Sequence, residues 1–416
     1  GIIVDFQNMS SILKVSKNTV TIQPGLYYAA LNKRMARQNL FLPYSPSSGS
    51  FSTIGGNVST KASGFRGLKY GSIDNYVTRI KFVDCEGRLI DTNKPPEDYK
   101  EKILNLKKKL LSDKKMLKIL KTKRKLKTSS GYNIQTFLKY KKPSDILTHL
   151  LVGSLGTLGL IYEIELKLVK IPKKTMTSLA FFKNLDECNK VILKTKKMNA
   201  SAIEIMDNFA LNLLKNPVFT IPEHTSAALL IEFDENLNKN IKTLEKLLSK
   251  HSQDYLIEEN RLKQKKLWDF RKSILYWLDK SNKKFIAIVE DVGVPPEKLS
   301  VFILAMHKFF KKNKIDAVIY GHAGEGNLHI RTAFQKRNFH SKLSQVAKYT
   351  FSLVFKYNGT ITAEHGVGRN KSPFLKKEWG LEIYSFFKEI KQNFDRKKMF
   401  NPGILFTTKN ITKDLD

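Results

Sequence analysis

Three of the eight histidines lie in two short glycine-rich segments late in the chain. The first segment, GHAGEGNLHI, carries His322 and His329, and the second, TAEHGVGR, carries Glu364 and His365. Two imidazoles and a carboxylate suit a divalent, zinc-like ion that keeps an open position for a substrate oxygen. The sequence therefore predicts His322, His329 and Glu364 as metal ligands. The alternative interpretation is that these histidines are structural and cap turns.

An alcohol oxidised beside such an ion needs a base and a group that orients the substrate. His365 directly follows Glu364, and a neutral imidazole has a pKa near physiological pH, so His365 is the predicted general base. Arg271 stands in LWDFRKSI beside Trp268 and could bind a carboxylate with two hydrogen bonds. For Arg271, a surface ion pair is the competing interpretation.

The elements around these segments must bring the histidines together. Gly324 and Gly326 exclude a helix between His322 and His329, so we expect a tight turn between two extended segments. Strand-like and helical stretches alternate over residues 175–384, which indicates an antiparallel sheet backed by helices. The predicted strands of this part are TSLAFF, SAALLIEF, FIAIVEDVGV, KIDAVIYGH and NLHIRTAF.

The first part of the chain contains two more glycine-rich segments, residues 42–71 and GSLGTLG at residues 153–159. The first of these is predicted to be a long loop. Backbone at glycine can approach a flat or phosphorylated ligand closely, although neither segment has the Walker or the dinucleotide-binding pattern. The regular elements predicted around them are strands at GIIVDF, NTVTIQPG, YVTRIKFVDCEGRLID and LIYEIELKLVKI, helices at LYYAALNKRMARQNL and DILTHLLVGS, and a basic amphipathic helix after Pro96.

Composition limits the functional classes. The 73 Lys and Arg residues exceed the 38 Asp and Glu residues by 35, but the excess is nearly all Lys along the whole chain, which favours a compositional bias over a designed anion-binding face. The two cysteines, Cys85 and Cys188, are too few for a cysteine-only zinc site or an iron-sulfur cluster, so redox chemistry requires an added cofactor. Without a long apolar run or a signal-like opening, we expect a cytoplasmic protein, with peripheral association at the inner membrane face as an alternative.

Seven segments, in order along nearly the whole chain, resemble FAD-linked oxidases of the vanillyl-alcohol-oxidase type. They are PSSGSFSTIGGNVSTKASGFRGLKYG, SSGYNIQTFL, LLVGSLGTLGLIYEIELKL, FIAIVEDVGVP, YGHAGEGNLHI, TAEHGVGRNKSPFLKKEWG and FNPGILF. Within that superfamily the chain looks most similar to D-lactate and D-2-hydroxyglutarate dehydrogenases of the branch associated with an iron-sulfur domain. The resemblance implies an α+β fold with an N-terminally incomplete FAD-binding domain (1–172), an α/β cap domain with a mainly antiparallel sheet and the metal site (173–384), and a C-terminal segment returning to the FAD domain (385–416).

The resemblance also implies an activity. We expect FAD-dependent oxidation of a D-2-hydroxy acid to the 2-oxo acid, with hydride passing to flavin N5, zinc as the divalent metal, and Asn327 and Arg271 near the substrate. D-Lactate is the first candidate substrate, and D-2-hydroxyglutarate and glycolate are alternatives; the electron acceptor would be an iron-sulfur protein, a cytochrome or a quinone. The residues that the resemblance places at the flavin are Gly55, Gly56, Asn57, Gly64, Tyr70, Gly71, Gly153, Ser154, Gly156, Thr157 and Asn401.

The sequence departs from the family pattern in four places. Family members normally carry a glycine-rich pyrophosphate loop ahead of a strand like GIIVDF and, in the most similar branch, a cysteine-rich domain after the NPG segment. Leu155 stands where Glu is usual, and Glu325 stands where Asp is common. Two other hypotheses therefore remain open: a partner-dependent flavoprotein fragment without independent activity, and a nucleic-acid or membrane-surface binder, although no recognised nucleic-acid motif is present.

Overall fold

The computed structural model describes residues 1–214, 219–334 and 339–407. The chain divides into two compact units. The first unit contains residues 1–64 and 71–171 and the chain from residue 364 onward. The second unit contains residues 65–70 and 172–363. In the described part of the chain, no helix is both long enough and apolar enough to span a membrane.

Antiparallel strands form the framework of the first unit. They are β1 (Ile12–Val15), β2 (Thr19–Ile22), β3 (Leu40–Phe41), β4 (Val77–Val83), β5 (Leu89–Asp91), β6 (Leu160–Lys167) and β7 (Val169–Lys170). The larger sheet has the order β1-β2-β6-β4-β5, and β3 pairs with β7. Burial alternates along most of β4, as expected for a sheet with one face on a core. The segment YVTRIKFVDCEGRLID, predicted to be one strand, forms both β4 and β5, because a turn with Gly87 at a φ of 82° separates them.

The opening segment GIIVDF, predicted to be a strand, is irregular. Ile2 and Ile3 are 94% and 95% exposed. An apolar, β-branched sequence becomes a strand only where a neighbouring strand supplies hydrogen bonds and packing. In the described part of the chain GIIVDF has no such neighbour, and the first strand is β1.

The helices that begin before residue 171 are α1 (Tyr28–Met35), α2 (Ile54–Thr60), α3 (Gly67–Tyr70), α4 (Glu97–Ser112), α5 (Lys114–Lys123), α6 (Thr136–Lys139) and α7 (Pro143–Leu151). The glycine-rich segment 42–71, predicted to be a loop, therefore contains α2 and α3. The predicted basic amphipathic helix is two helices, because the Asp113 side chain accepts hydrogen bonds from the Lys115 and Met116 N–H groups and starts α5. Ile103 and Leu110 on α4 are fully buried, so its apolar face packs within the first unit.

An eight-stranded antiparallel sheet forms the centre of the second unit. Its strands are β8 (Met176–Phe182), β9 (Ala202–Asp207), β10 (Ala227–Phe233), β11 (Asp254–Glu258), β12 (Phe285–Ile286), β13 (Val292–Gly293), β14 (Asp316–His322) and β15 (Asn327–Ala333). Their order is β11-β8-β10-β9-β14-β15-β12, and β13 also pairs with β15. The predicted antiparallel sheet is confirmed. The sequence did not predict β9 and β11, and FIAIVEDVGV forms two short strands instead of one.

The remaining helices are α8 (Leu185–Lys197), α9 (Asn208–Asn212), α10 (Leu237–His251), α11 (Arg261–Asp279), α12 (Leu299–Asn313), α13 (Phe339–Lys356) and α14 (Gly368–Phe394). Helix α11 covers one face of the eight-stranded sheet, where Leu267 and Ile274 pack against side chains of β8, β10 and β14. Helix α14 lies in the first unit and is kinked at Gly380, where φ is 78°. The second unit ends at Ala363, whereas the sequence-based boundary at residue 384 falls inside α14.

Candidate functional site

A cavity of about 550 Å³ in the first unit is lined by both glycine-rich segments. Gly55 and Gly56 reach it from α2, and Gly156 reaches it from GSLGTLG. A Cβ at Gly156 would meet no atom within 4 Å, whereas a Cβ at Gly55 would overlap the Pro24 ring. Walls of bare backbone leave room for a flat ligand to approach closely. Three of the residues expected at the flavin thus line one cavity.

Side chains that the sequence did not predict also line this cavity. Tyr27 and Thr53 precede α1 and α2, and Phe6 belongs to the irregular opening segment. The Thr53 hydroxyl accepts a hydrogen bond from the Gly56 N–H and caps α2. A threonine ahead of a glycine-rich helix start was the available signal, and it was overlooked because segment 42–71 was interpreted as a loop.

Other residues expected at the flavin serve the packing of their own loop. The Asn57 amide donates to the Tyr44 hydroxyl at 2.8 Å. A Cβ at Gly64 would lie 2.1 Å from the Ser45 carbonyl oxygen, so only glycine fits there. Gly71 has a φ of 71°, which glycine adopts without strain. Direct flavin contacts of Asn57, Gly64 and Gly71 stay predictions.

The GSLGTLG loop is tied to the C-terminal part of the first unit. The Asn401 side-chain amide donates to the Leu155 carbonyl at 2.7 Å. Gly153 has a φ of 85°, and the Thr157 hydroxyl donates to the Ser154 carbonyl at 2.6 Å. The structure therefore brings Asn401 to a loop that is also expected at the flavin. Flavin contacts of Asn401, Gly153, Ser154 and Thr157 stay predictions.

Tyr70, which the sequence places at the flavin, has its hydroxyl bound within the second unit. That hydroxyl donates to the Asp234 carboxylate, and the Lys69 ammonium lies 2.5 Å from the other carboxylate oxygen. Burial, and then Asp234, raises the pKa of Tyr70. The hydroxyl is accordingly a hydrogen-bond donor in its neutral form.

Strand register in the second unit aligns most of the predicted metal and substrate residues in two rows. The first row runs from β8 through β10, β9 and β14 to β15 as Leu179, Leu230, Glu204, His322 and Asn327. The second row, in the same strand order, is Phe181, Ala228, Met206, Tyr320 and His329. Residues two apart on a strand face the same side, so both rows lie on one face of the sheet. Within these two rows the face is apolar at β8 and β10 and polar at β14 and β15.

His322 and His329 are neighbours on this face. Their ring centroids are 5.3 Å apart and the ring planes are nearly perpendicular. His322 Nδ1 lies 2.6 Å from a Glu204 carboxylate oxygen, so a metal bound by His322 would have to use Nε2. A carboxylate behind an imidazole fixes the ring orientation and the tautomer of a ligating histidine. Sequence reasoning missed Glu204 because it lies on β9, which was not predicted.

Arg271 is buried and bound to the same glutamate. Its Nε and Nη2 atoms donate to Glu204 Oε2 at 3.1 and 2.8 Å, and 2% of the residue is exposed. The surface ion-pair interpretation of Arg271 is therefore wrong. Burial alone would raise the pKa of Glu204, but His322 and Arg271 outweigh it, and the pKa of this carboxyl is lowered. Glu204 thus links Arg271 to His322 as a buried charged group.

The turn between the two histidines has the predicted form. Strand β14 ends at His322, a single 3₁₀ turn covers Ala323–Glu325, and β15 begins at Asn327. Gly326 has a φ of 74°, and a Cβ there would lie 1.8 Å from the Val294 carbonyl oxygen. The two extended segments thus form a hairpin that requires glycine at this position.

Asp291 is a further acidic group on this side of the sheet that the sequence did not predict. Its carboxylate accepts hydrogen bonds from the Asn327 amide at 3.0 Å and the Thr362 hydroxyl at 2.6 Å. One of its oxygens lies within 4.8 Å of a His329 ring nitrogen. The Asn327 side-chain oxygen is buried and has no hydrogen-bond partner in the described part of the chain. A set of imidazole and carboxylate donors with such an unsatisfied oxygen fits a hard or borderline divalent cation.

Glu364 and His365 belong to the first unit. The Lys127 ammonium lies 2.6 Å from Glu364 Oε2, and His365 Nε2 lies 3.6 Å from Glu364 Oε1. The His365 side chain is 43% exposed. Glu364 directly follows Ala363, whose N–H donates to Asp291 in the second unit. Sequence reasoning missed Lys127, which is one of many lysines and stands in no motif.

Two profiles of known protein families match the chain. The profile described as FAD linked oxidases, C-terminal domain, matches residues 171–405. The chain belongs to the FAD-linked oxidases. The profile described as FAD binding domain matches residues 1–93. The resemblance seen in the sequence is confirmed, and this FAD-linked oxidoreductase carries its FAD-binding profile in the unit that contains the glycine-lined cavity.

Individual relatives are 26–29% identical to this FAD-linked oxidase over the aligned residues. Glycolate oxidase subunit GlcD of Bacillus subtilis is 29% identical over 98% of this chain and 79% of its own length. The mitochondrial D-lactate dehydrogenase (cytochrome) of Arabidopsis thaliana is 26% identical over 97% of this chain and 65% of its own length. The D-2-hydroxyglutarate dehydrogenase of Stutzerimonas stutzeri is 26% identical over 97% of this chain and 81% of its own length.

A solved structure has the same fold. Alkyldihydroxyacetonephosphate synthase superposes with a TM-score of 0.61 at 17% identity, over 95% of this chain and 66% of the solved chain. This likeness confirms the α+β fold class that the sequence predicts.

Proposed function

We propose that this FAD-linked oxidase dehydrogenates a small D-2-hydroxy acid to the corresponding 2-oxo acid. The observation that carries the proposal is the aligned pair of rows on the second-unit sheet, where His322, Asn327 and His329 occupy adjacent positions. The relatives support it, because their names include glycolate oxidase, D-lactate dehydrogenase and D-2-hydroxyglutarate dehydrogenase.

The cofactor is assigned to the cavity lined by Gly55, Gly56 and Gly156. When bound, FAD supplies a two-electron acceptor for the hydride on the substrate Cα, which no protein side chain can supply. The glycines keep their own part of the cavity wall free of side chains. The names of the relatives include a cytochrome-linked dehydrogenase, so we assign reoxidation to a cytochrome, a quinone or an iron-sulfur protein.

A divalent ion, with zinc as the first one to test, is assigned to the donors His322 Nε2, His329 and Glu364, with Asp291 as a fourth candidate. Such an ion would orient the hydroxyl and carboxylate of the acid and lower the pKa of the hydroxyl. Glu204 holds the His322 ring through Nδ1, and Asn327 holds the Asp291 carboxylate. The Lys127 ammonium lies 2.6 Å from Glu364 Oε2 and opposes the charge of that carboxylate.

His365 is the proposed base. Its exposed imidazole can take the hydroxyl proton at a ring nitrogen and pass it to solvent. Arg271 keeps its proposed place beside the substrate, although its Nε edge is used by Glu204. A substrate carboxylate would therefore be bound through Nη1, and the same guanidinium also positions His322 by way of Glu204.

The decisive experiment is anaerobic flavin bleaching. Purified protein with added FAD and zinc is mixed with glycolate and with the D and L forms of lactate and 2-hydroxyglutarate. We expect bleaching by at least one D acid or glycolate, no bleaching by the L acids, and loss of bleaching in His322→Ala. The matched control is His307→Ala, because His307 also binds a β9 carboxylate, that of Asp207, but lies outside the proposed site. A His322→Ala protein that bleaches at the wild-type rate without metal would refute the assignment.

A further inference from the structure

Arg331 lies on the polar sheet face next to the proposed substrate position. It is two residues after His329 on β15, and side chains so spaced share a face at a Cα separation of about 7 Å. Its register partner on β14 is Val318, so it adds a third position beside the two rows. A glutarate-type substrate extends about 4–5 Å beyond its hydroxyl carbon. The distance from His329 to Arg331 is therefore comparable to the distance from the hydroxyl carbon of such a substrate to its far carboxylate. Arg331 could supply the cation that this carboxylate needs.

The protein itself supplies a carboxylate to Arg331. Nη2 of Arg331 lies 3.0 Å from Oε2 of Glu290, whose side chain is only 10% exposed. Nε of the same guanidinium donates to the Tyr320 hydroxyl at 3.3 Å. Glu290 Oε2 also lies 4.0 Å from His329 Nδ1, so this carboxylate lies between Arg331 and a proposed metal ligand.

Two arginines on this face each pair with a glutamate. Arg271 pairs with Glu204, and Arg331 pairs with Glu290. A second substrate carboxylate would meet an arginine that is already neutralised, and it would be repelled by the nearby Glu290 in a largely buried setting. A neutral hydrogen or methyl group in the same place carries no such penalty.

We propose that Glu290 and Arg331 form a specificity pair that restricts the substrate to 2-hydroxy acids with a single carboxylate, such as glycolate or D-lactate. This inference rests on the function proposed above. Glu290 takes the place that the far carboxylate of D-2-hydroxyglutarate would otherwise occupy on Arg331. The pair therefore selects by charge.

The test compares anaerobic kcat/KM for glycolate, D-lactate and D-2-hydroxyglutarate in the FAD- and zinc-loaded enzyme. For the wild type we expect a monocarboxylate to be preferred by about 100-fold or more. Glu290→Gln removes the competing charge and should raise the relative kcat/KM for D-2-hydroxyglutarate by about tenfold or more. Glu290→Gln combined with Arg331→Gln should lose that gain, because the cation is then absent. Glu290→Ser removes the same charge with a smaller side chain and serves if Glu290→Gln does not fold.

The control is Glu232→Gln. Glu232 is a buried glutamate on β10 that pairs with Arg66, so its loss perturbs the same sheet without touching Arg331. This variant should keep the wild-type substrate ratio. A calorimetric titration of each protein with pyruvate and with 2-oxoglutarate gives a second readout that is independent of turnover.

The outcomes separate the two proposals. A wild type that prefers D-2-hydroxyglutarate, or a Glu290→Gln ratio within about twofold of wild type, overturns the specificity pair and leaves the proposed oxidation intact. If no hydroxy acid reduces the flavin, the proposed oxidation fails. The calorimetric titrations then test the specificity pair by themselves. A gain of 2-oxoglutarate binding in Glu290→Gln then supports it, and no gain overturns it.

Discussion

Glu204 offers the sharpest single perturbation, because its carboxylate contacts both the proposed substrate-orienting arginine and a proposed metal ligand. In Glu204→Gln the side chain keeps its shape and loses its charge. The Arg271 side chain is 3% exposed and the Glu204 side chain is fully buried. The variant therefore leaves a buried guanidinium without its counter-charge. Breaking a buried pair of this kind costs about 3–5 kcal/mol of unfolding free energy.

The same variant should weaken metal binding. An outer carboxylate that holds a ligating imidazole contributes about 10–100-fold to metal affinity, which is about 1.4–2.7 kcal/mol. We expect an effect in this range, because His322 Nδ1 would lose its 2.6 Å contact with a charged acceptor. Zinc affinity is measured by competition with a chromogenic chelator, and stability is measured by urea unfolding of the metal-free protein.

The matched control for this experiment is again Glu232→Gln. Glu232 is a buried charge on β10, two residues after Leu230, which pairs with Glu204. Glu232 is paired at 2.7 Å with Arg66, whose side chain is 31% exposed, so its loss should cost less, roughly 1–3 kcal/mol. Its zinc affinity should equal that of the wild type. The reasoning is refuted if Glu204→Gln binds zinc within about twofold of wild type, or if both variants lose zinc affinity equally.

Two further predictions concern the hairpin and the thiols. Gly326→Ala should destabilise the protein by at least about 2 kcal/mol in urea unfolding, because its Cβ would lie 1.8 Å from the Val294 carbonyl oxygen; Gly87→Ala, with a φ of 82° and no atom within 4 Å, should cost only about 1 kcal/mol. Burial raises the pKa of the Cys188 thiol, whereas Cys85 is half-buried, so a thiol reagent should label about one equivalent in the native protein and about two after denaturation. Equal costs for the two glycine variants, or rapid labelling of Cys188 in the folded protein, would contradict these expectations.

The elements that could be predicted from the sequence are those whose local pattern agrees with their environment. Strands β8 and β10 come from TSLAFF and SAALLIEF, and every residue in both strands is buried. A continuous apolar run is sufficient to indicate such a strand. GIIVDF has the same kind of pattern and is irregular, because a strand also depends on a neighbour that local composition does not reveal.

Strand β9 was missed for the opposite reason. Its sequence, AIEIMD, carries Glu204 and Asp207, and both acids are buried. Arg271 and His307 supply partners for these buried carboxylates from distant helices. A segment that looks half-polar in sequence is therefore an interior strand, because the partners of its acidic side chains lie more than sixty residues away in the sequence.

The same dependence on distant partners explains which part of the candidate site the sequence could supply. The two histidines are recognisable because glycines beside them predict a hairpin, and that local signal is sufficient. Glu204 and Asp291 carry no such signal: Glu204 reaches His322 only through the pairing of β9 with β14, and Asp291 has a φ of 63° inside what had been interpreted as a single strand. A register shift of one residue on β9 would turn Glu204 to the other face of the sheet and leave Arg271 without its partner. The groups that hold and charge-balance the site are thus consequences of strand pairing, and the strength of the Glu204→Gln effect measures how much of the site depends on that pairing.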